Sequence, residues 1–181
     1  VKVLDTAVHT NRLKVGHLRG NHFRIMLRGA RESKADPVRT MLERMAAEGV
    51  VNIYGKQRFG KDHESVRVGR DVLLGEMRIS GMSRMKRRFV ISALQSYLFN
   101  SYALLRSERG WLRKVLPGDV LKKRDTGGMF VVEAPRKEQA RMDRGEIVIT
   151  GPMFGKKMKR AEARALKLET EVLTAAGLNM Y

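Results

Sequence analysis

Two short stretches carry residues whose types and spacing suit work on a polyanion. Residues 52–60 read NIYGKQRFG: two aromatics, two glycines, two cations and two amides in nine positions, with neither the helical nor the strand period of a packed element. Gly55 and Gly60 can bend the chain, Tyr54 and Phe59 offer rings on which an unstacked base can lie, and Lys56 and Arg58 can meet phosphates. The same residues also suit a tight loop pinned by Phe59 in the core and by Gln57 on the backbone. Residues 19–24, RGNHFR, hold a second such set. Gly20 permits close backbone approach, Asn21 both donates and accepts, and Phe23 presents another ring. Its plain alternative is a turn ahead of an ordinary core Phe.

Other chemistries fit less well. GPMFGKKM, from Gly151, has the look of a phosphate loop, but its glycines are separated by three residues instead of four, and Lys157 stands where a magnesium-binding Ser or Thr belongs. His9, His17, His22 and His63 show no HxxxH spacing, and the chain has no cysteine, so no metal site is expected. Asp62 and Glu64, interleaved with Lys61 and His63, suit a solvated loop as well as an acid/base pair.

Charge points the same way as the two stretches. Lys and Arg number 37 against 19 Asp and Glu, a formal net charge of +18. Such an excess suits a nucleic-acid partner, because each phosphate neutralised releases condensed counterions. No run approaches the roughly 18 apolar residues of a spanning helix, so no membrane is expected. The lack of cysteine excludes disulfides and thiolate catalysis and fits a reducing, cytoplasmic setting.

The elements that must position these residues are legible from periodicity. Residues 1–8 and 22–28 read as strands, the second with Phe23, Ile25 and Leu27 on one face. ADPVRTMLERMAAEG, 35–49, reads as a helix with Asp36 as cap, Pro37 in the first turn and Val38, Met41, Leu42, Met45 and Ala46 on one face. A short helix is predicted over 65–74, closed by Gly75. A long one spans 86–106, with Val90, Leu94, Leu98 and Leu105 at helical spacing and a stop at Gly110. Residues 118–135 read as a hairpin about DTGG, ended by Pro135, and 147–150 as a further strand. A last helix over 159–176 buries Ala165, Leu168, Val172 and Leu173 and ends at Gly177. Segregated strands and helices of this kind predict an α+β fold.

Three stretches, RGNHFRIMLR, VNIYGKQRFG and ISALQSYLFN, together resemble the TruD-type tRNA pseudouridine synthases. LPGDVL and TGPMFGKKMKRAEARALKLETEVL extend the resemblance over nearly the whole chain. The main departure inside a motif is Ile53-Tyr54, where the family commonly has Tyr-Phe.

The resemblance implies an isomerase that converts uridine to pseudouridine, commonly at tRNA position 13, without cofactor or metal. It implies Phe23, the aromatic of the family's GNxF motif, against the flipped uracil, and Asn21 holding the loop or the nucleophile segment. Gly20, Asn52, Tyr54, Gly55, Gln57, Arg58, Phe59 and Gly60 become active-site scaffold or RNA-binding residues. The family's nucleophilic Asp lies in a Gly-x-Lys-Asp-x-x-Ala segment ahead of GNxF, which is not found here. GKDHESV, from Gly60, imitates it but continues the QRFG motif and lacks the Ala, so Asp62 is not promoted to nucleophile. The expectation is therefore the middle of such an enzyme, inactive alone: residues 1–33 are part of the pseudouridine synthase catalytic core, and 34–181 form the inserted α/β domain. The competing expectation is a non-catalytic basic RNA-binding module.

Overall fold

A computed structural model of the chain describes residues 35–179 throughout, together with 2, 3, 5–8, 10, 12, 22–26, 28, 29 and 31. The chain divides into two compact units, Val1–Val50 and Val51–Tyr181.

In the first unit the predicted helix forms as α1, Ala35–Glu48. Asp36 lies inside its first turn, not ahead of it, where the carboxylate still meets the positive end of the helix dipole. The expected apolar face is present, but Met41, Leu42 and Met45 are exposed. The strands predicted over 1–8 and 22–28 are not found among the described residues, and Phe23 is 79% exposed. Alternation marks a face, whereas a strand needs a neighbouring ladder to take its backbone hydrogen bonds, and no described residue of this unit offers one. Leu27 lies outside the described residues.

In the second unit, two 3₁₀ turns (Lys56–Phe59 and Lys61–His63) lead into α2, Glu64–Leu74. Then come α3 (Arg84–Glu108), β1 (Val120–Lys123), β2 (Met129–Val131), α4 (Pro135–Asp143), β3 (Ile147–Ile149) and α5 (Ala163–Ala175). The three strands form an antiparallel sheet of order β2-β1-β3, with Leu121 opposite Phe130 on one side and Ile149 on the other. The fold is α+β, as the segregation of strand and helix patterns implied.

Burial follows the periods read from the sequence. Val90, Leu94, Leu98 and Tyr102 of α3 are buried, and the last three pack with Val66 of α2 and with Leu168, Val172 and Leu173 of α5. Successive residues of β1 face opposite ways, so Leu121 joins Val115, Val132 and Ile147, while Val120 joins Ala161 and Ala165. Gly69 brings α2 against α3: a Cβ there would sit 2.3 Å from the carbonyl oxygen of Val90. Pro135 does not merely end the hairpin; it opens α4, a use of its fixed φ that the polar sequence behind it concealed. The last helix begins at Ala163, four residues later than the pattern suggested.

Candidate functional site

The NIYGKQRFG loop lies along one stripe of α3. Ser92, Ser96 and Asn100 recur every four residues, which puts them one above another on a helix. Asn100 clamps the start of the loop: its Oδ1 accepts from the Tyr54 backbone N–H at 2.9 Å, and its Nδ2 donates to the Tyr54 carbonyl at 2.8 Å. Arg58 donates from Nε to Ser96 Oγ at 3.1 Å and from its Nη2 to Ser92 Oγ. Its guanidinium also sits 5.5 Å from the centroid of the Phe89 ring. Such charge-assisted bonds are worth more than neutral ones, and losing an acceptor from under a half-buried guanidinium costs more again.

Phe59 fills the core beside Leu94 and Leu98 and is only 4% exposed. The rings of Tyr97 and His63 stand 6.0 and 5.5 Å from it. Phe59 therefore answers to core packing and not to base stacking. Gly60 has φ of +76°, and a Cβ there would meet Ser65 Oγ at 2.9 Å, so the turn into α2 is closed to larger residues. Tyr54 stays exposed, edge-on to Phe99 at 5.8 Å. Lys56, Gln57 and Asn52 are exposed. Among the described residues Gln57 makes no hydrogen bond to the backbone, contrary to the plain loop reading.

The structure thus joins Tyr54, Arg58 and Phe59 to α3 and leaves Asn52, Lys56 and Gln57 at the surface. Gly20 and Asn21 lie outside the described residues. Asp62 is exposed, with a left-handed backbone at φ +48°. Sequence reasoning missed Ser92, Ser96 and Asn100 individually; their signal was the four-residue spacing within ISALQSYLFN, a stretch read for its apolar face and for the family resemblance.

Behind this stripe the same helix carries a buried ion pair. Arg106 and Asp119 are 2% and 1% exposed and meet through two parallel bonds of 2.6 and 3.1 Å. Arg106 also donates to the carbonyls of Trp111 and Lys114 and to the Tyr102 hydroxyl. Asp119 accepts the Leu116 N–H at 2.7 Å. With every partner present, the pair ties α3 to the loop ahead of β1 and is structural. Burial pushes the Tyr102 phenol up to about 12.

Glu169 of α5 is different. It is 4% exposed, and its Oε2 has no hydrogen-bond partner among the described residues. Burial first, and the neighbouring Asp119 charge second, push its carboxyl from 4.5 up to about 7, against a lowering by the Ala161 backbone N–H. Glu169 lines a cleft of about 550 Å³ together with Gln95, Tyr102, Met153 and Lys157. Lys86, Arg87 and Arg88 at the start of α3, and Lys156, Lys157 and Lys159 ahead of α5, are exposed. Among the described residues no group of three or more His, Asp or Glu side chains is placed to hold a metal, and no helix is long and apolar enough to cross a membrane.

Comparison with known proteins covers the whole chain. The family model for tRNA pseudouridine synthase D (TruD) matches residues 1–81 and 79–181. A tRNA pseudouridine synthase D from Anaeromyxobacter sp. (strain Fw109-5) is 39% identical over 99% of this chain and 52% of its own length. One from Thermus thermophilus is 44% identical over 98% of this chain and 49% of its own. The chain therefore spans about half the length of the curated relatives it matches. A crystal structure assigned as tRNA pseudouridine synthase D from Methanosarcina mazei superposes with a TM-score of 0.66 over 82% of this chain and 51% of that one; at 18% identity it speaks for the fold alone.

Proposed function

This chain belongs to the tRNA pseudouridine synthase D (TruD) family, and we propose that the whole protein isomerises uridine in tRNA to pseudouridine, at position 13. The observation that carries the reading is the match of the family model along the entire chain, 1–81 and 79–181. The interlock of VNIYGKQRFG with ISALQSYLFN through Arg58 and Asn100 supports it, because two motifs of the resemblance make one structural unit.

In this reading residues 1–33 contribute to the catalytic core, and 34–181 form the inserted domain, with the unit Val51–Tyr181 as its body. The target uridine leaves its stack at a cost of a few kcal/mol, which binding elsewhere on the RNA offsets. Phe23 supplies the ring against the extruded uracil, and its exposure leaves the ring free to do so. Asn21 holds the adjoining loop. The nucleophilic Asp, which attacks or abstracts at the ribosyl carbon, is supplied by the part of the protein outside these 181 residues. The role of Arg58 is to hold the 52–60 loop on α3 as scaffold, through the bonds of its Nε and Nη2 to Ser96 and Ser92. The exposed cations of α3 and of 156–159 meet the tRNA backbone. The setting is the cytoplasm, where tRNA is.

The test is a pseudouridine assay on unmodified tRNA with the full-length gene product and with this chain alone. Pseudouridine at position 13 with the full-length protein only is the expected result. tRNA binding by the full-length protein without any pseudouridine would replace the synthase reading with a non-catalytic RNA-binding module. Activity in this chain alone would return Asp62 to consideration as nucleophile.

A further inference from the structure

Residues 84–89, RMKRRF, open α3 with four cations, a methionine and a ring, all of them exposed. Local stability does not explain this choice. The start of a helix carries a partial positive charge that acids offset and cations oppose, yet the first turn of α3 holds no acid, and none occurs between Glu76 and Glu108. Among the described residues no ion pair takes up Arg84, Lys86, Arg87 or Arg88. Phe89 is 46% exposed, and Met85, one turn earlier on the same face, is 81% exposed. The ring is nevertheless held in place. Arg58 lies over it, 5.5 Å from its centroid, and is itself tied to Ser92 and Ser96. Ser83 caps the helix, its Oγ accepting the Lys86 N–H at 3.2 Å, so the segment is already formed.

Resting on the tRNA reading above, we propose that this patch binds an unpaired stretch of the RNA, distinct from the target uridine, with one base stacked on Phe89 and the adjoining phosphates met by Lys86 and Arg88. With about 3.6 residues per turn, those two cations fall on either side of the Met85–Phe89 stripe. A ring set among cations suits a single strand, because every base has a flat face to stack and brings a phosphate with it. In a duplex the bases are stacked on one another, so the ring would have nothing to meet. A protein surface could cover Phe89, but it would have to bring acids for the cations as well. The net charge of +18 favours the polyanion.

The probes are an oligocytidine of about twelve nucleotides, within the length that one single-strand site covers, and an RNA duplex of G·C pairs of the same length. Neither carries a uridine, so the target site stays out of the readout. Each is titrated into the full-length protein by fluorescence anisotropy, beside thermal melts of every variant. Phe89→Ala should weaken oligocytidine binding at least about fivefold, the loss of one stacked base, while duplex binding holds. Phe89→Trp should restore it. Lys86→Ala combined with Arg88→Ala, both at exposed positions, should flatten the slope of log affinity against log salt by about 1.4, two single-strand phosphates at about 0.7 each. An unchanged slope would overturn the phosphate contacts. Equal losses for oligocytidine and duplex in Phe89→Ala would reduce the site to a phosphate patch and overturn the stacking. A lowered Tm in Phe89→Ala with oligocytidine affinity kept would assign the ring to a contact with the rest of the protein and overturn the proposal. Failure of the synthase reading appears elsewhere, as absence of pseudouridine from tRNA, and leaves the comparison of single strand with duplex readable.

Discussion

Replacing Glu169 with Gln should make the protein more stable, and by an amount that depends on pH. In the folded chain burial and the Asp119 charge push this carboxyl from 4.5 up to about 7. A raised carboxyl pKa favours folding while the group is protonated, and that advantage is lost as pH rises through the folded value. Below about 4.5 the acid is neutral in both states and costs nothing; between 4.5 and 7 the unfolded chain ionises alone; above 7 the folded chain carries the buried charge. At about 1.4 kcal/mol per pH unit, the loss across that window is about 3 kcal/mol. The charged group acting on Glu169 is Asp119, ion-paired to Arg106. Gln keeps the shape without the charge. The expected result is matching stability of wild type and Glu169→Gln near pH 4.5, diverging to about 3 kcal/mol, or about 10 °C in Tm, by about pH 8. Urea denaturation and thermal melts at half-unit pH intervals read this directly. Parallel curves across the whole window would refute the assignment of a neutral, buried acid.

Further outcomes follow from the same packing. Arg58→Ala should cost about 2–3 kcal/mol, since it strips the donors from Ser92 and Ser96 and the cation from the Phe89 ring; urea melts showing no change would mean the loop is held by Phe59 and Asn100 alone. Gly69→Ala gains about 1 kcal/mol in helix propensity, but its Cβ would lie 2.3 Å from the Val90 carbonyl oxygen, so α2 and α3 must part and Tm should fall. A raised Tm would show that the two helices are not in such contact. Binding of tRNA should weaken steeply with salt, by about 10³-fold or more between roughly 50 and 200 mM if six or more phosphates are met. A flat response in a filter-binding titration would remove the basic faces from the interface.

Much of this molecule was legible from local pattern. The spacing of Val90, Leu94 and Leu98 gives α3 its buried face, Gly75 closes α2, and the hairpin turns about DTGG, because each depends on residues within a few positions of one another. Short motifs also sufficed to identify the family. Where the pattern misled, the missing information was a partner. Phe23 and Ile25 alternate as a strand does, yet no described neighbour supplies a ladder, and both are exposed. The polar run 136–143 hid α4, whose Gln139 is bound to the Val115 N–H at 2.8 Å, a contact no local rule contains.

The sequence by itself determined α2, α3 and α5 of the larger unit, its strand pairing through the hairpin, the excess of positive charge and the family. Tertiary structure alone decided which polar residues matter. Ser92, Ser96 and Asn100 read as an ordinary solvated stripe until a loop about forty residues earlier lies across them. Glu169, flanked by Thr170 and Glu171, reads as one more surface acid until the α5 packing takes it out of water. Whether a polar group is solvated, paired or stranded is set by what packs over it, and that neighbour comes from distant parts of the chain.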